Sequence, residues 1–188
     1  MASVVRKGPK LLKSVALIGF MGAGKSSVGR LLAERMHARF VDLDQRVEEE
    51  QQQTIADLFR QGEGVFRAAE VAALRRLLRE RPGVWALGGG TPCTAEARAA
   101  LVQSRCLVVW LQVDWAEVQR RTAGSERPLL AADGAKAARL LEARRPAYQA
   151  AAQWWVDAAP PAADVAAVLA RRLKDEGYVE GPVAGDVE

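Results

Sequence analysis

The sequence predicts an α/β fold: a three-layer sandwich in which helices cover a parallel, five-stranded sheet. Three observations carry that expectation. Short apolar runs alternate with longer stretches of helical periodicity, as strand-helix-strand units require. The first apolar run, Val15-Ala16-Leu17-Ile18, passes directly into Gly19-Phe20-Met21-Gly22-Ala23-Gly24-Lys25-Ser26, which has the GxxxxGK[ST] spacing of a phosphate-binding P-loop. The run from Cys106 to Val113 is apolar nearly throughout, as a strand buried on both faces must be.

The elements follow in order. Ser14 to Ile18 reads as the first strand, and Ser26 to Met36, with Val28, Leu31 and Leu32 on one face, as the helix after the P-loop. Arg39 to Leu43 is the second strand. Thr54 stands as the N-cap of a short helix through Ile55-Ala56-Asp57-Leu58-Phe59, and Gly62 separates it from a longer helix through Phe66, Leu74 and Leu77. Val84 to Leu87 is a third strand ending in Gly88-Gly89-Gly90. Cys106 to Val113 is the fourth, Asp114 caps the helix after it, and Trp154 to Asp157 is a short fifth. Residues 123–134 mix Gly, Ser, Glu, Arg and Pro between helical patterns and read as a mobile surface loop. Its Arg127-Pro128-Leu129-Leu130 centre favours a lid over a plain connector. One domain therefore spans 14–176, preceded by a basic extension at 1–13 and followed by a tail at 177–188 that is expected to fray.

Composition narrows the function. At 188 residues the chain can bury a full core without metal or disulfide staples. Its two cysteines, Cys93 and Cys106, form no CxxC pair and read as small packing residues; with no secretory signal in view, a cytoplasmic protein is expected. No segment approaches the length of a membrane span, so no membrane partner is expected. Net charge is +4, and only six of the 27 cationic residues are lysine. The arginines alternate with acids and alanines and are not interleaved with aromatics, which argues against a nucleic-acid surface and suits small anionic ligands. His37, the only histidine, reads as a surface residue, and the five tryptophans as core packing.

The P-loop supplies inward-pointing N–H groups and the positive end of the following helix. Lys25 would reach the β- and γ-phosphates, and Ser26 would hold Mg²⁺. Asp42-Leu43-Asp44 closes the second strand, where residues two apart project to one side, so both carboxylates can face one crevice. If that strand adjoins the first, the crevice holds the γ-phosphate and the acids divide the work between metal and acceptor. Alone, the pair could equally be two surface acids.

Taken together, GFMGAGKSSVGR, FVDLD, GEGVFRAAE, LGGG, RPLL and RRPAY, in that order and spacing, resemble the shikimate kinase family of P-loop small-molecule kinases, over roughly residues 14 to 170. The resemblance implies ATP as co-substrate, one Mg²⁺, shikimate as acceptor through its 3-hydroxyl, a monomer, and a substrate-binding segment at about 45–79. By the same resemblance Gly22, Ala23, Gly24, Lys25, Ser26 and Ser27 bind ATP, with Arg121 against adenine and Arg127 of the lid on the transferring phosphate. Ser26 and Asp42 hold the metal. Asp44 contacts the shikimate hydroxyls and is the candidate base; Arg67 and Arg144 bind the carboxylate; Gly88, Gly89 and Gly90 bring backbone close to the substrate. Phe59, Phe66 and Glu70 fit the pocket surroundings. Catalysis would rest on Asp44, Lys25 and Arg127.

This chain departs from the family in a few places. Ser27 stands where Thr is frequent, Pro92 stiffens the exit from the glycine turn, and the segment before Gly62 and the lid entry are slightly shorter. Two other readings stay open: a kinase for another polyol acid such as gluconate, and an inactive relative that acts through nucleotide-dependent partner binding. FRxxE with GGG and RPLL favours shikimate, and retention of Lys25, Ser26, Asp42, Asp44, Arg67, Arg127 and Arg144 favours activity.

Overall fold

A computed structural model describes residues 9–123 and 134–181. Its centre is a five-stranded sheet in the order β3-β4-β2-β5-β6, with every neighbouring pair parallel. The strands are β2 (Val15–Ile18), β3 (Phe40–Asp42), β4 (Val84–Ala86), β5 (Leu107–Gln112) and β6 (Trp154–Asp157). The apolar runs that announce them are buried because helices flank the sheet: all of β2 and β4, and β5 up to Gln112, are shielded from solvent. The five expected strands are all present.

Helix α1 (Lys25–Arg35) packs on α8 (Ala162–Asp175), while α5 (Ala95–Gln103) contacts both α4 (Glu63–Leu77) and α7 (Gly134–Ala151). Two predicted caps are in place. Thr54 Oγ1 accepts from Asp57 N at 3.1 Å to start α3 (Ile55–Gln61), and Asp114 Oδ1 accepts from Glu117 N at 2.7 Å to start α6 (Trp115–Thr122). Each satisfies a donor that the first helical turn leaves without a partner.

The structure differs from expectation in several places. The second strand ends at Asp42, and Leu43 already opens a helix, α2 (Leu43–Gln51). Asp42 is its N-cap, accepting from Asp44 N at 3.1 Å, so the side-chain alternation of a strand does not relate Asp42 to Asp44. Nor does that strand adjoin the first: β4 lies between them, pairing Ala16 with Trp85 on one side and Val41 with Trp85 on the other. The tail is held at its start. Val179–Glu180 (β7) pairs antiparallel with Lys10–Leu11 (β1), and Tyr178 packs edge-on against Trp154, its ring centre 5.4 Å away. The ribbon thus joins residues assigned to the N-terminal extension with residues assigned to the tail, and Leu11 and Tyr178 bring apolar surface from it to the end of the core.

Tryptophan and cysteine also divide. Trp85, Trp110 and Trp154 are buried as expected, whereas Trp155 is 62% exposed because β6 is an edge strand whose alternate side chains point outward. Cys106 is a packing residue whose thiol burial pushes up to about 12, but Cys93 is exposed. His37 is on the surface. Among the described residues no helix is long and apolar enough to cross a membrane. The proposed lid at 123–134 lies, but for its two ends, outside the described residues.

Candidate active site

The site assembles where the strands point their carboxyl ends, around the loop between β2 and α1. Gly22 and Gly24 have φ of 81° and 88°, conformations a side chain would strain, and they turn the loop so that α1 begins at Lys25. Ala23 is buried beneath this turn, and Ser27 is exposed on the first turn of α1. Lys25 Nζ donates to the carbonyl oxygens of Gly19 and Phe20 at 2.9 and 3.1 Å, which holds the ammonium over the loop.

Ser26 Oγ donates to Asp42 Oδ2 at 2.7 Å. The cap of α2 and the first turn of α1 therefore present two hard oxygens side by side. That donor set fits Mg²⁺, which keeps several waters and takes few protein ligands. Among the described residues no group of three or more His, Cys, Asp or Glu side chains is placed to hold a metal ion.

Asp44, in the first turn of α2, is the perturbed acid of the site. Burial first, then the nearby carboxylates of Asp42 and Glu70, push its pKa from 3.8 to about 6, against the pull of Lys25. Its Oδ1 is buried and meets no hydrogen-bond donor among the described residues. A buried carboxylate oxygen in that state is costly, and a hydroxyl brought to it would be a strong donor.

Glu70 organises the far wall. It is fully buried, accepting from Arg67 NH1 at 2.8 Å through one oxygen and from Thr91 Oγ1 at 2.6 Å through the other. Arg67 is held further by Glu63 at 3.2 Å and lies 5.0 Å from the centre of the Phe66 ring, which stacks on Phe59 at 4.5 Å. The glycine turn sits against these groups. A Cβ at Gly88 would stand 2.6 Å from Glu70 Oε1 and 2.7 Å from Asp44 Oδ1, and one at Gly90 would stand 2.5 Å from Arg67 NH2. Gly89 O accepts from Arg144 NH1 at 3.3 Å and from Tyr148 Oη at 2.6 Å, so α7 delivers a second guanidinium to the turn. Asp44, Arg67, Arg144 and the three glycines are thus one constellation.

A cavity of about 620 Å³ runs from the P-loop to α6 and the segment Ala158–Ala162. Arg121 lines it, donating to the carbonyl oxygens of Gly22, Ala158 and Ala159. Arg127 lies outside the described residues. Sequence reasoning missed Tyr148, Thr91 and the Ala158–Pro161 wall. The RRPAY run placed Tyr148 one helical turn after Arg144, which was a usable signal; the wall, made of Ala and Pro, offered none.

A family model described as shikimate kinase matches residues 21–174. The shikimate kinase of Streptomyces coelicolor is 44% identical over 138 residues, covering 72% of this chain and 80% of that protein. That of Thermobifida fusca is 38% identical over 173 residues, covering 90% and 95%. Among solved structures, the Acinetobacter baumannii shikimate kinase in complex with shikimate superimposes with a TM-score of 0.82 at 34% identity, covering 88% of this chain and 94% of that one. A gluconokinase from Sinorhizobium meliloti, 21% identical with a TM-score of 0.60 over 89% of this chain and 98% of its own, shares the fold.

Proposed function

This chain belongs to the shikimate kinase family of ATP-dependent kinases, and from that premise we propose that it transfers the γ-phosphate of ATP to the 3-hydroxyl of shikimate, with Asp44 receiving the attacking hydroxyl. The observation that carries the reading is Asp44 Oδ1, buried without a donor a short distance from Glu70, Arg67 and the Gly88–Gly90 turn. A polyol that also bears a carboxylate fits this wall: Arg67 and Arg144 clamp the acid end through planar guanidinium donors, and the ring hydroxyls meet Asp44.

Phosphoryl transfer has a loose transition state, so little proton removal has occurred at the barrier and Asp44 acts chiefly by orienting the hydroxyl. The loop amides and Lys25 bind the donor's phosphates and draw off charge as the leaving group forms. Ser26 and Asp42 would hold Mg²⁺, which when bound neutralises phosphate charge. By the family resemblance Arg127 would add a cation at the transferring phosphate. The product feeds the shikimate pathway of aromatic amino-acid biosynthesis; a cytoplasmic monomer is the form proposed.

The direct test is ADP release from Mg²⁺-ATP with shikimate, with gluconate and without acceptor. Release that depends on shikimate supports the reading, and release that follows gluconate transfers the site to another polyol acid. ATP binding with no acceptor-dependent release would identify an inactive relative.

A further inference from the structure

We propose that Tyr148 is a positioning residue for the acceptor's carboxylate: its hydroxyl holds the Gly89 carbonyl oxygen, so that Arg144, which shares that oxygen, keeps its other donors for the substrate. The inference deepens the acceptor site and rests on the kinase reading above. Two side chains four residues apart, on one face of α7, converge on a single carbonyl of the glycine turn. They grip it unequally. Tyr148 Oη donates at 2.6 Å and Arg144 NH1 at 3.3 Å, so the phenol supplies the strong bond and the guanidinium a weak one.

The two arginines of the wall are held in different ways. Arg67 is fixed by carboxylates, donating to Glu70 at 2.8 Å and to Glu63 at 3.3 and 3.2 Å. Arg144 has no carboxylate partner among the described residues, and its guanidinium carbon lies 5.8 Å from the centre of the Phe20 ring. A guanidinium in that state offers its fork to an incoming carboxylate, but something else must set its direction. The helix ladder does so poorly here. Pro146 lacks the N–H that would bond Glu142 O, so the turn of α7 that carries Arg144 is missing a rung. Tyr148 is the anchor just past that gap, fully buried and with its ring centre 5.7 Å from that of Trp110 on β5. Burial pushes its phenol pKa up, so the hydroxyl stays a donor at any working pH.

Without that hydroxyl the Gly89 oxygen would keep one long bond, and its nearest remaining donor is Arg144 NH1. The turn itself has little room to move: a Cβ at Gly89 would stand 3.6 Å from both Gly19 O and Met21 N of the P-loop, which is ordinary packing contact. The flexible partner is the arginine. Its guanidinium is drawn onto the carbonyl, and part of the fork meant for the carboxylate is spent on backbone.

The test measures ADP release from the full chain with Mg²⁺-ATP and shikimate, comparing the parent, Tyr148→Phe, Arg144→Ala and the double variant. Phe keeps the ring and its contact with Trp110. Tyr148→Phe is expected to raise KM for shikimate about tenfold, with KM for ATP unchanged and kcat within about twofold of the parent. In the Arg144→Ala background the same change should move KM for shikimate by no more than about twofold, because the side chain it acts through is gone. An equal rise in both backgrounds would make Tyr148 a packing residue that acts independently of Arg144 and would overturn the inference. So would a fall in kcat with KM unmoved, which would mean that the hydroxyl sets the gap between the glycine turn and the P-loop. Either result leaves the kinase reading intact, whereas a parent that shows no shikimate-dependent release overturns that reading and this inference with it.

Discussion

Ser26 donates its hydroxyl to Asp42 across 2.7 Å, so the side chain that follows the P-loop lysine and the residue that caps α2 share one hydrogen bond. Asp42 thereby has two separable duties. Under the proposed function one carboxylate oxygen would serve a cation, and the other satisfies Asp44 N in the first turn of α2.

Asp42→Asn and Asp42→Ala separate those duties. Asn caps a helix about as well as Asp, so its melting temperature should stay close to that of the parent while the Mg²⁺ concentration for half-maximal activity rises. Ala loses the cap as well, about 1 kcal/mol, and should melt about 2–4 °C lower in a chain of this size. Thermal melts beside Mg²⁺ titrations check both. Equal Mg²⁺ dependence in parent and Asn variant would remove Asp42 from the cation site.

Asp44 makes activity and stability pull in opposite directions with pH. Its pKa is raised from 3.8 to about 6, so between these values the folded chain holds a proton that the unfolded chain releases. Stability from this group therefore falls as pH rises through that window, and above about 6 the ionised carboxylate is a standing cost. Activity runs the other way, because the ionised form is the stronger acceptor for the substrate hydroxyl and the only one that can take its proton. We expect kcat/KM for shikimate to fall below about pH 6, and Asp44→Asn to lose turnover yet melt higher than the parent at pH 7, the gap closing toward pH 4. An acid limb that persists in Asp44→Asn would assign the titration to another group.

What could be read from the chain was local, and what could not depended on neighbours distant in sequence. The P-loop, the caps Thr54 and Asp114 and the buried run of β5 are properties of contiguous residues. The start of α2 was hidden because Phe40-Val41-Asp42-Leu43 reads as one apolar run into an acid. The following helix exposes most of a polar surface, burying only Leu43 and Val47. The placement of β4 between β2 and β3 is decided by packing, and no local pattern encodes it. In the site, Asp44, Arg67 and Arg144 were legible through motif spacing. The grip of Tyr148 on Gly89 O and of Arg121 on the Ala158–Pro160 carbonyls spans 59 and 37 to 39 residues and emerges only from the fold.

Glu70 should control shikimate affinity without touching nucleotide binding. It is the buried anchor of both Arg67 and Thr91, and neither partner has contact with the P-loop cavity. Removing one member of a buried pair costs about 3 kcal/mol, which for a chain of this length lowers the melting temperature by about 6–12 °C. Glu70→Ala is therefore expected to raise KM for shikimate roughly tenfold or more, by releasing Arg67, with KM for ATP unchanged. Glu70→Gln still accepts from Thr91 and should lie between. If KM for shikimate is unmoved in a folded Ala variant, Arg67 holds its position without Glu70.

Gly88 is where the smallest side chain should do the most damage. An added methyl would stand 2.6 Å from Glu70 Oε1, 2.7 Å from Asp44 Oδ1 and 3.0 Å from Thr91 Oγ1, so the three groups would have to move at once in a buried wall. Gly64, in the first turn of α4, is the internal control, because a methyl there meets nothing within 4 Å. Gly64→Ala should retain full activity and gain about 0.4–1 kcal/mol of stability by restricting the unfolded chain. Gly88→Ala should lose most of its kcat/KM for shikimate while ATP binding, measured by titration calorimetry, stays close to that of the parent. Equal activity in the two variants would mean that the wall around Asp44 yields by a few tenths of an ångström at no cost to the reaction, and that the close approach at Gly88 is a matter of packing alone.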